Sequence, residues 1–373
     1  MQRLMVLLLR VVITSGILLS GTAAQECSSR ENYRVRSQEE LNTITQNCTT
    51  IVGELGLVNW TGPFTLSNIT RIRSITVYSG DISSVELPDL EYLGSDLLLT
   101  DLPSLRKVSL PSLEYTEGLY IDLVGNAPEL HFPKLTNTSS IYLRGNFTNQ
   151  SFNSLRNVEK KLDICNAVSC GYYSRVEAST SMSLSFPVLE RVGSLIVAGN
   201  VSTLSAPEIS TVTCNECDFA ALHLKLYGAS PIAVSFPKLS TITGSFYIRG
   251  DIDSLSLPAL REYTDEFIVV PYEPLDISLP VERAENFLFT GNVSSIALPN
   301  LKNFTRIHIE SDTDDIDCNG FWKDLKKTSG PLNETNVEDY FQCSGGASYT
   351  YTGGFRGGSA FAIVLVLVVG VLV

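Results

Sequence analysis

Apolar and polar residues alternate in short runs along most of this chain, and many of the runs end in Gly followed by Asn or Asp. Ile141-Tyr-Leu-Arg-Gly-Asn146, Leu195-Ile-Val-Ala-Gly-Asn200, Phe246-Tyr-Ile-Arg-Gly-Asp251 and Phe287-Leu-Phe-Thr-Gly-Asn292 are examples, and Ile75-Thr-Val-Tyr-Ser-Gly-Asp81 fits as well. A period of two places one face inward, and Gly with Asn or Asp supplies the backbone freedom of a turn. A second phrase lies between the runs: an apolar residue, Pro, any residue, Leu. It stands at Leu87–Leu90, Leu110–Leu113, Phe132–Leu135, Phe186–Leu189, Phe236–Leu239, Leu257–Leu260 and Leu298–Leu301. Weaker copies start at Phe152, Ala206 and Leu279. From Pro237 the prolines at 258, 280 and 299 follow at intervals of 21, 22 and 19 residues, a period that predicts a solenoid.

One unit therefore reads as strand, Gly-Asn/Asp turn, second short strand, Pro phrase and link. Pro has no N–H to give a ladder, so a Pro repeated at one place marks a corner of each coil, and it would break the helices of a helical repeat. The fold class expected is all-β, a parallel β-solenoid of the receptor L-domain or leucine-rich-repeat-like β-helix kind. Roughly ten coils at about 4.8 Å each predict a rod about 50 Å long. Open solenoid ends need covers. Ser37-Gln38-Glu39-Glu40 is a capping-box pattern that predicts a helix over about 38–46, and Asn319 before Phe321, Trp322 and Leu325 predicts another near the far end.

The two ends of the chain read as processing signals. Residues 1–24 carry only Arg3 and Arg10, an apolar run from Val11 to Leu19 and the small residues Thr22-Ala23-Ala24, the pattern of a secretory signal cut after Ala24. Residues 344–373 begin with small residues, Ser344-Gly345-Gly346-Ala347. A Gly-rich polar spacer and the uncharged tail Ala360–Val373 follow. That order is a GPI-attachment signal with Ser344 or Gly345 as the attachment residue, and the tail is short of the roughly 20 residues of a spanning helix. Residues 25–343 remain as the ectodomain, held to the membrane through the GPI lipid.

With 40 acidic against 27 basic residues the chain is acidic, the more so once Arg3, Arg10 and Arg356 leave with the processed ends. This argues against nucleic acid or anionic lipid headgroups as partners. The 8 cysteines predict four disulfides in an oxidising compartment. Locality suggests Cys27–Cys48 and Cys318–Cys343 at the two ends. In the middle, either Cys165–Cys170 with Cys214–Cys217 or a crossed arrangement of these four is open. Sequons at Asn47, Asn59, Asn68, Asn137, Asn146, Asn149, Asn200, Asn292, Asn303 and Asn333 are candidate N-glycan sites. Asn146, Asn200 and Asn292 share one repeat position, either a glycan-bearing edge or a buried asparagine ladder.

No catalytic constellation emerges. The acids are scattered, without the paired carboxylates of a glycosidase. There is no Gly-x-Ser-x-Gly elbow, Walker loop or His-Glu-x-x-His. Cys214-x-x-Cys217 lacks a thioredoxin context, and His131, His223 and His308 lie away from cysteine pairs. Asp312, Asp314, Asp315 and Asp317 could ligate calcium but read more simply as a solvated loop. Tyr247 and Phe289 could stack on sugar, or serve as strand and core residues. No enzyme activity, cofactor or metal is expected.

The stretch Ser37–Leu57, with a short helix leading through Cys48-Thr-Thr-Ile-Val-Gly53 into the first coil, looks like the start of a receptor L-domain. Together with the signal peptide, the Pro-marked coils, the terminal cysteine pair and the GPI signal, the chain resembles fungal GPI-anchored cell-wall proteins of the extracellular-mutant and sporulation-specific type. The resemblance implies a non-enzymatic glycoprotein needed for wall organisation and integrity, at the outer plasma membrane or in the wall, with β-glucan, chitin or wall proteins as partners. Related L-domains imply an alternative, a receptor-like module that binds a glycan or protein on a solenoid face. Family members often carry a long Ser/Thr-rich stalk, whereas here the anchor site follows Cys343 almost at once.

Overall fold

The computed structural model describes residues 25–27, 32–123, 127–166, 180–214, 220–329, 340–345 and 349–350. Residues 1–24, where a signal sequence is expected, residues 351–373, Cys170, Cys217, Asn333 and the side chain of Asn149 lie outside them.

Each alternating run is one strand of a single parallel ladder. It starts at Asn32–Val35 beside Thr50–Leu57, continues turn by turn through strands such as Tyr115–Leu123, Asn137–Gly145 and Arg283–Gly291, and reaches Asn303–Ser311 and Phe341–Gly345, beside which Tyr349–Thr350 adds a short antiparallel strand. The result is a β-solenoid of about twelve turns, a little longer than the repeat count alone predicts. A second, interrupted face carries the short strands that follow each Gly-Asn/Asp turn. It has one four-stranded group from Thr61–Thr65 to Glu129–His131, and later pairs such as Ile232–Ser235 with Ile252–Ser256 and Leu275–Ser278 with Val293–Ala297.

The Pro phrase is a tight turn. The Leu N–H donates to the carbonyl of the apolar residue three positions back, at 3.2 Å for Leu113 to Leu110 and 3.1 Å for Leu260 to Leu257. Pro sits at the second turn position, where its fixed φ is already suitable. Both apolar residues of the phrase enter the core, as with Phe186 and Leu189, which are fully buried. Hydrogen bonds between coils use the residues around the Pro: Leu87 N–H reaches Ser109 O on the next coil, and Glu91 N–H reaches Thr70 O on the previous one. The corner therefore needs no donor at Pro. Leu102-Pro103-Ser104-Leu105, a copy the repeat pattern does not single out, closes in the same way, with Leu105 N–H on Leu102 O at 3.1 Å. In the weak copy at Leu279, Val281 is the second buried residue and no such turn bond forms.

The Gly of the Gly-Asn/Asp turn is required by two facts together. Gly250 has φ 125° and Gly145 φ 146°, and a Cβ on either would run into the carbonyl of Leu226 or Leu123 on the preceding coil. Aromatic rings stack along the core, as Phe132–Phe152–Phe186 at 6.2 and 5.6 Å and Phe246–Phe267 at 4.1 Å. Phe289 belongs to this core, stacked 5.2 Å from Phe287, and is no surface for sugar.

Both ends are covered. At the start, α1 (Gln38–Thr45) is capped by Ser37, which accepts the Glu40 N–H, and buries Leu41. Gln38 also hydrogen-bonds the edge of the second face with both ends of its amide: Nε2 donates to Thr65 O at 2.7 Å, and Thr65 N–H donates to Oε1 at 3.2 Å. The Cys27–Cys48 disulfide ties this cap. At the far end, α2 (Cys318–Thr328) begins one residue before Asn319, because the Asp317 carboxylate accepts the Gly320 N–H at 2.8 Å and acts as the N-cap. Trp322 and Phe321 stack on Phe341 at 4.8 and 5.9 Å, and Cys318–Cys343 links the helix to the last strand. Cys165 and Cys214 are also disulfide-bonded, with partners outside the described residues.

Candidate interaction surface

In the long ladder, register converts a spacing of one repeat into a row parallel to the solenoid axis. One outward row runs from Leu98 through Tyr120, Tyr142, Asp163, Ile196, His223, Tyr247, Ile268 and Leu288 to His308. Successive members are about 4.8 Å apart. An outward row on an acidic rod would ordinarily be Thr, Ser, Lys or Glu, whereas this one is largely aromatic and aliphatic. Its members are half-buried, apart from the fully covered His223. The row two residues further on adds cations: Arg144, Lys225 and Arg249 share it with Cys165 and Ala198.

The two rows interlock. The Arg144 guanidinium lies 4.8 Å from the Tyr142 ring centroid, and Tyr120 and Tyr142 are 6.4 Å apart. His223 meets Tyr247 at 4.7 Å. Arg249 Nε donates to Tyr272 Oη at 2.7 Å, and Tyr272 contacts Tyr227 at 6.0 Å. Lys161 pairs with Asp163 at 3.2 Å, and burial raises the Asp163 carboxyl against the pull of that lysine. Burial pushes His223 down to about 3, helped by the charges of Lys225 and Lys161, so the imidazole is neutral at ordinary pH. Lys225 is pushed down to about 8, by burial first and then by Arg249. Tyr227 is pushed up to about 12, mainly by burial and then by its hydrogen bond to Tyr272.

The sequons sort by place. Asn47, Asn59, Asn68, Asn137 and Asn303 are exposed, whereas Asn146, Asn200 and Asn292 are half-buried. Asn59, Asn146, Asn200 and Asn292 lie at or next to the corner that leaves the long ladder, and Asn68 at the Pro-phrase corner. Asn137 and Asn303 are first residues of ladder strands. Among the described residues no sequon stands on the tyrosine row. At the shared repeat position, Asn292 Nδ2, the atom a glycan would occupy, donates to Tyr272 O of the preceding coil at 3.3 Å. The Asn146 Oδ1 accepts from Thr180 Oγ1. The Asn200 backbone is held on both sides by the buried Asn166 amide, at 3.0 and 3.2 Å. Asn166 is not a sequon, and its bridging role has no signal in the sequence.

The remaining candidates lie apart from this face. Ser344 and Gly345 close the last parallel strand, opposite Glu310 and Ser311 on one side and antiparallel to Tyr349–Thr350 on the other. Gly345 is buried, and a Cβ there would strike Ile316. Asp312, Asp314 and Asp315 are exposed on the loop before α2, and Asp317 caps it. Tyr247 was visible in the sequence as a possible surface ring. The full row was hidden until register was known, although Tyr120 and Tyr142 are one repeat apart.

No known family profile matches the chain, and no solved structure matches it. A protein of Arthroderma benhamiae described as a "Cell surface GPI-anchored protein" is 27% identical over 198 residues, which is 52% of this chain and 46% of the relative. The chain thus spans about half the length of that relative.

Proposed function

We propose that this chain is a GPI-anchored cell-surface glycoprotein of a fungus, non-enzymatic, that supports the organisation and integrity of the cell wall. Anchoring through a GPI lipid is in keeping with the description of the Arthroderma benhamiae relative and with the small-residue site, spacer and apolar tail of residues 344–373. The observation that carries the wall role is the outward axial row holding Tyr120, Tyr142 and Tyr247, on which none of the described sequons stands. Ring pairs on adjacent coils, Tyr120 with Tyr142 and His223 with Tyr247, suit contact with an extended polymer such as β-glucan or chitin, and sequons placed off the row leave it open.

The test is growth of a deletion strain on a chitin-binding dye, with and without the gene restored. Hypersensitivity reversed by the gene is the expected result, and normal growth with normal wall composition contradicts it. The same face supports a second reading, a receptor-like module that binds one glycan or protein. Saturable binding of a single ligand by the purified chain, with no wall defect in the deletion strain, would favour that reading.

A further inference from the structure

The two ends of the second face are finished differently. At the first edge the Gln38 amide takes the place of a neighbouring strand against Thr65. At the last edge, Val293–Ala297, no strand and no amide follows among the described residues. On its inner side this strand is fully used: Leu279 N–H donates to Ala297 O and Leu275 N–H to Asn292 O, both at 3.0 Å. In a parallel ladder the backbone groups of successive residues point alternately to the two sides. The N–H and C=O of Ile296 therefore point away from Leu275–Ser278. So does the Leu298 N–H, whose counterparts Leu279 and Phe236 donate to the next coil. Among the described residues none of these three groups has a partner. The Val293 carbonyl, by contrast, is taken by Ser311 Oγ at 2.7 Å.

The space beside this edge is a groove of about 530 Å³ between the strand and α2. Its apolar lining includes Ile296, Leu298, Ile316, Phe321 and Leu325. Its rim is acidic. Asp315 and Asp317 stand there together with Asp324, and the rim cation Lys327 is paired to Asp324 at 2.6 Å. An apolar slot, a donor–acceptor–donor edge and an acidic rim together describe a site for an added strand carrying positive charge.

We propose that this groove binds an extended, basic segment of a partner polypeptide, which adds one strand to Val293–Ala297. An apolar side chain of that segment enters between Ile296 and Phe321, and a Lys or Arg meets Asp315 and Asp317. The site is independent of the tyrosine row and of the wall role.

The test uses the purified chain and two fluorescein-labelled peptides, Lys-Val-Ser-Ile-Ser-Lys and Glu-Val-Ser-Ile-Ser-Glu, read by fluorescence anisotropy. The Lys peptide is expected to bind saturably and at least tenfold more tightly than the Glu peptide. Ile296→Pro, which removes an edge N–H at a position where an edge strand tolerates Pro, is expected to weaken it at least tenfold. Asp315→Lys, an exposed change that leaves the fold alone, is expected to weaken the Lys peptide and strengthen the Glu peptide. Absence of saturable binding, equal binding of both peptides, or no effect of Asp315→Lys overturns the proposal. So does a dimer in sedimentation that Ile296→Pro abolishes, because the occupant is then a second copy of this chain.

Discussion

His223 shows how a single outward residue acquires consequences from what covers it. Its folded pKa of about 3 lies below the ordinary 6.5, so between these values only the unfolded chain takes up the proton. Its contribution to stability is intact above pH 6.5 and is lost progressively as pH falls towards 3. Chemical denaturation at a series of pH values is expected to show this loss, and His223→Gln is expected to flatten it. Asn292 is a second case. A sequon asparagine whose Nδ2 is engaged with Tyr272 O is a poor glycan acceptor in the folded chain. Peptide mapping after deglycosidase treatment is expected to find Asn68, Asn137 and Asn303 occupied and Asn292 bare. Occupied Asn292 would show that glycosylation precedes formation of that coil. Neither property is legible in the sequence, where a histidine at an alternating position and an Asn-x-Ser read the same whether covered or open.

At the scale of the element, the Pro-phrase turn carries the fold. Leu135 and its equivalents are fully buried, so Leu135→Ala is expected to cost about 2–5 kcal/mol, read as a lower denaturation midpoint. Pro133→Ala, which leaves the turn bond in place, is expected to cost only about 0.4–1 kcal/mol, through added freedom of the unfolded chain. Comparable losses for the two would contradict the corner role given to Pro. These turns and the Gly-Asn corners were readable because each imposes a residue type: Pro where no donor is needed, Gly where a neighbouring carbonyl leaves no room for Cβ. The caps were readable in part. Ser37 announced α1 by its capping pattern, but the Gln38 amide that closes the Thr65 edge is an ordinary surface glutamine until the coil beside it is folded. The cap of α2 falls on Asp317, and Asn319 lies inside the helix, because two adjacent polar residues suitable for capping cannot be ranked without the backbone.

As a whole, about twelve turns at about 4.8 Å make a rod roughly 60 Å long, stabilised by contacts between neighbouring coils. The last parallel strand of its ladder contains Ser344 and Gly345, so an anchor at either residue would place the α2 end against the membrane and the Cys27–Cys48 end outermost. The glycan sites would then flank the rod at its corners and leave the tyrosine row facing its surroundings. The sequence revealed the rod through its period. The broad face stayed hidden because it depends on register summed over every coil. The most direct test of the account is complementation of a deletion strain with a Tyr120→Ser, Tyr142→Ser, Tyr247→Ser variant, scored on a chitin-binding dye at surface levels matched to the wild type. If the row meets the wall, the wild-type gene restores growth and the triple variant does not. Full rescue by the variant, or a deletion strain with no wall defect to rescue, would contradict it.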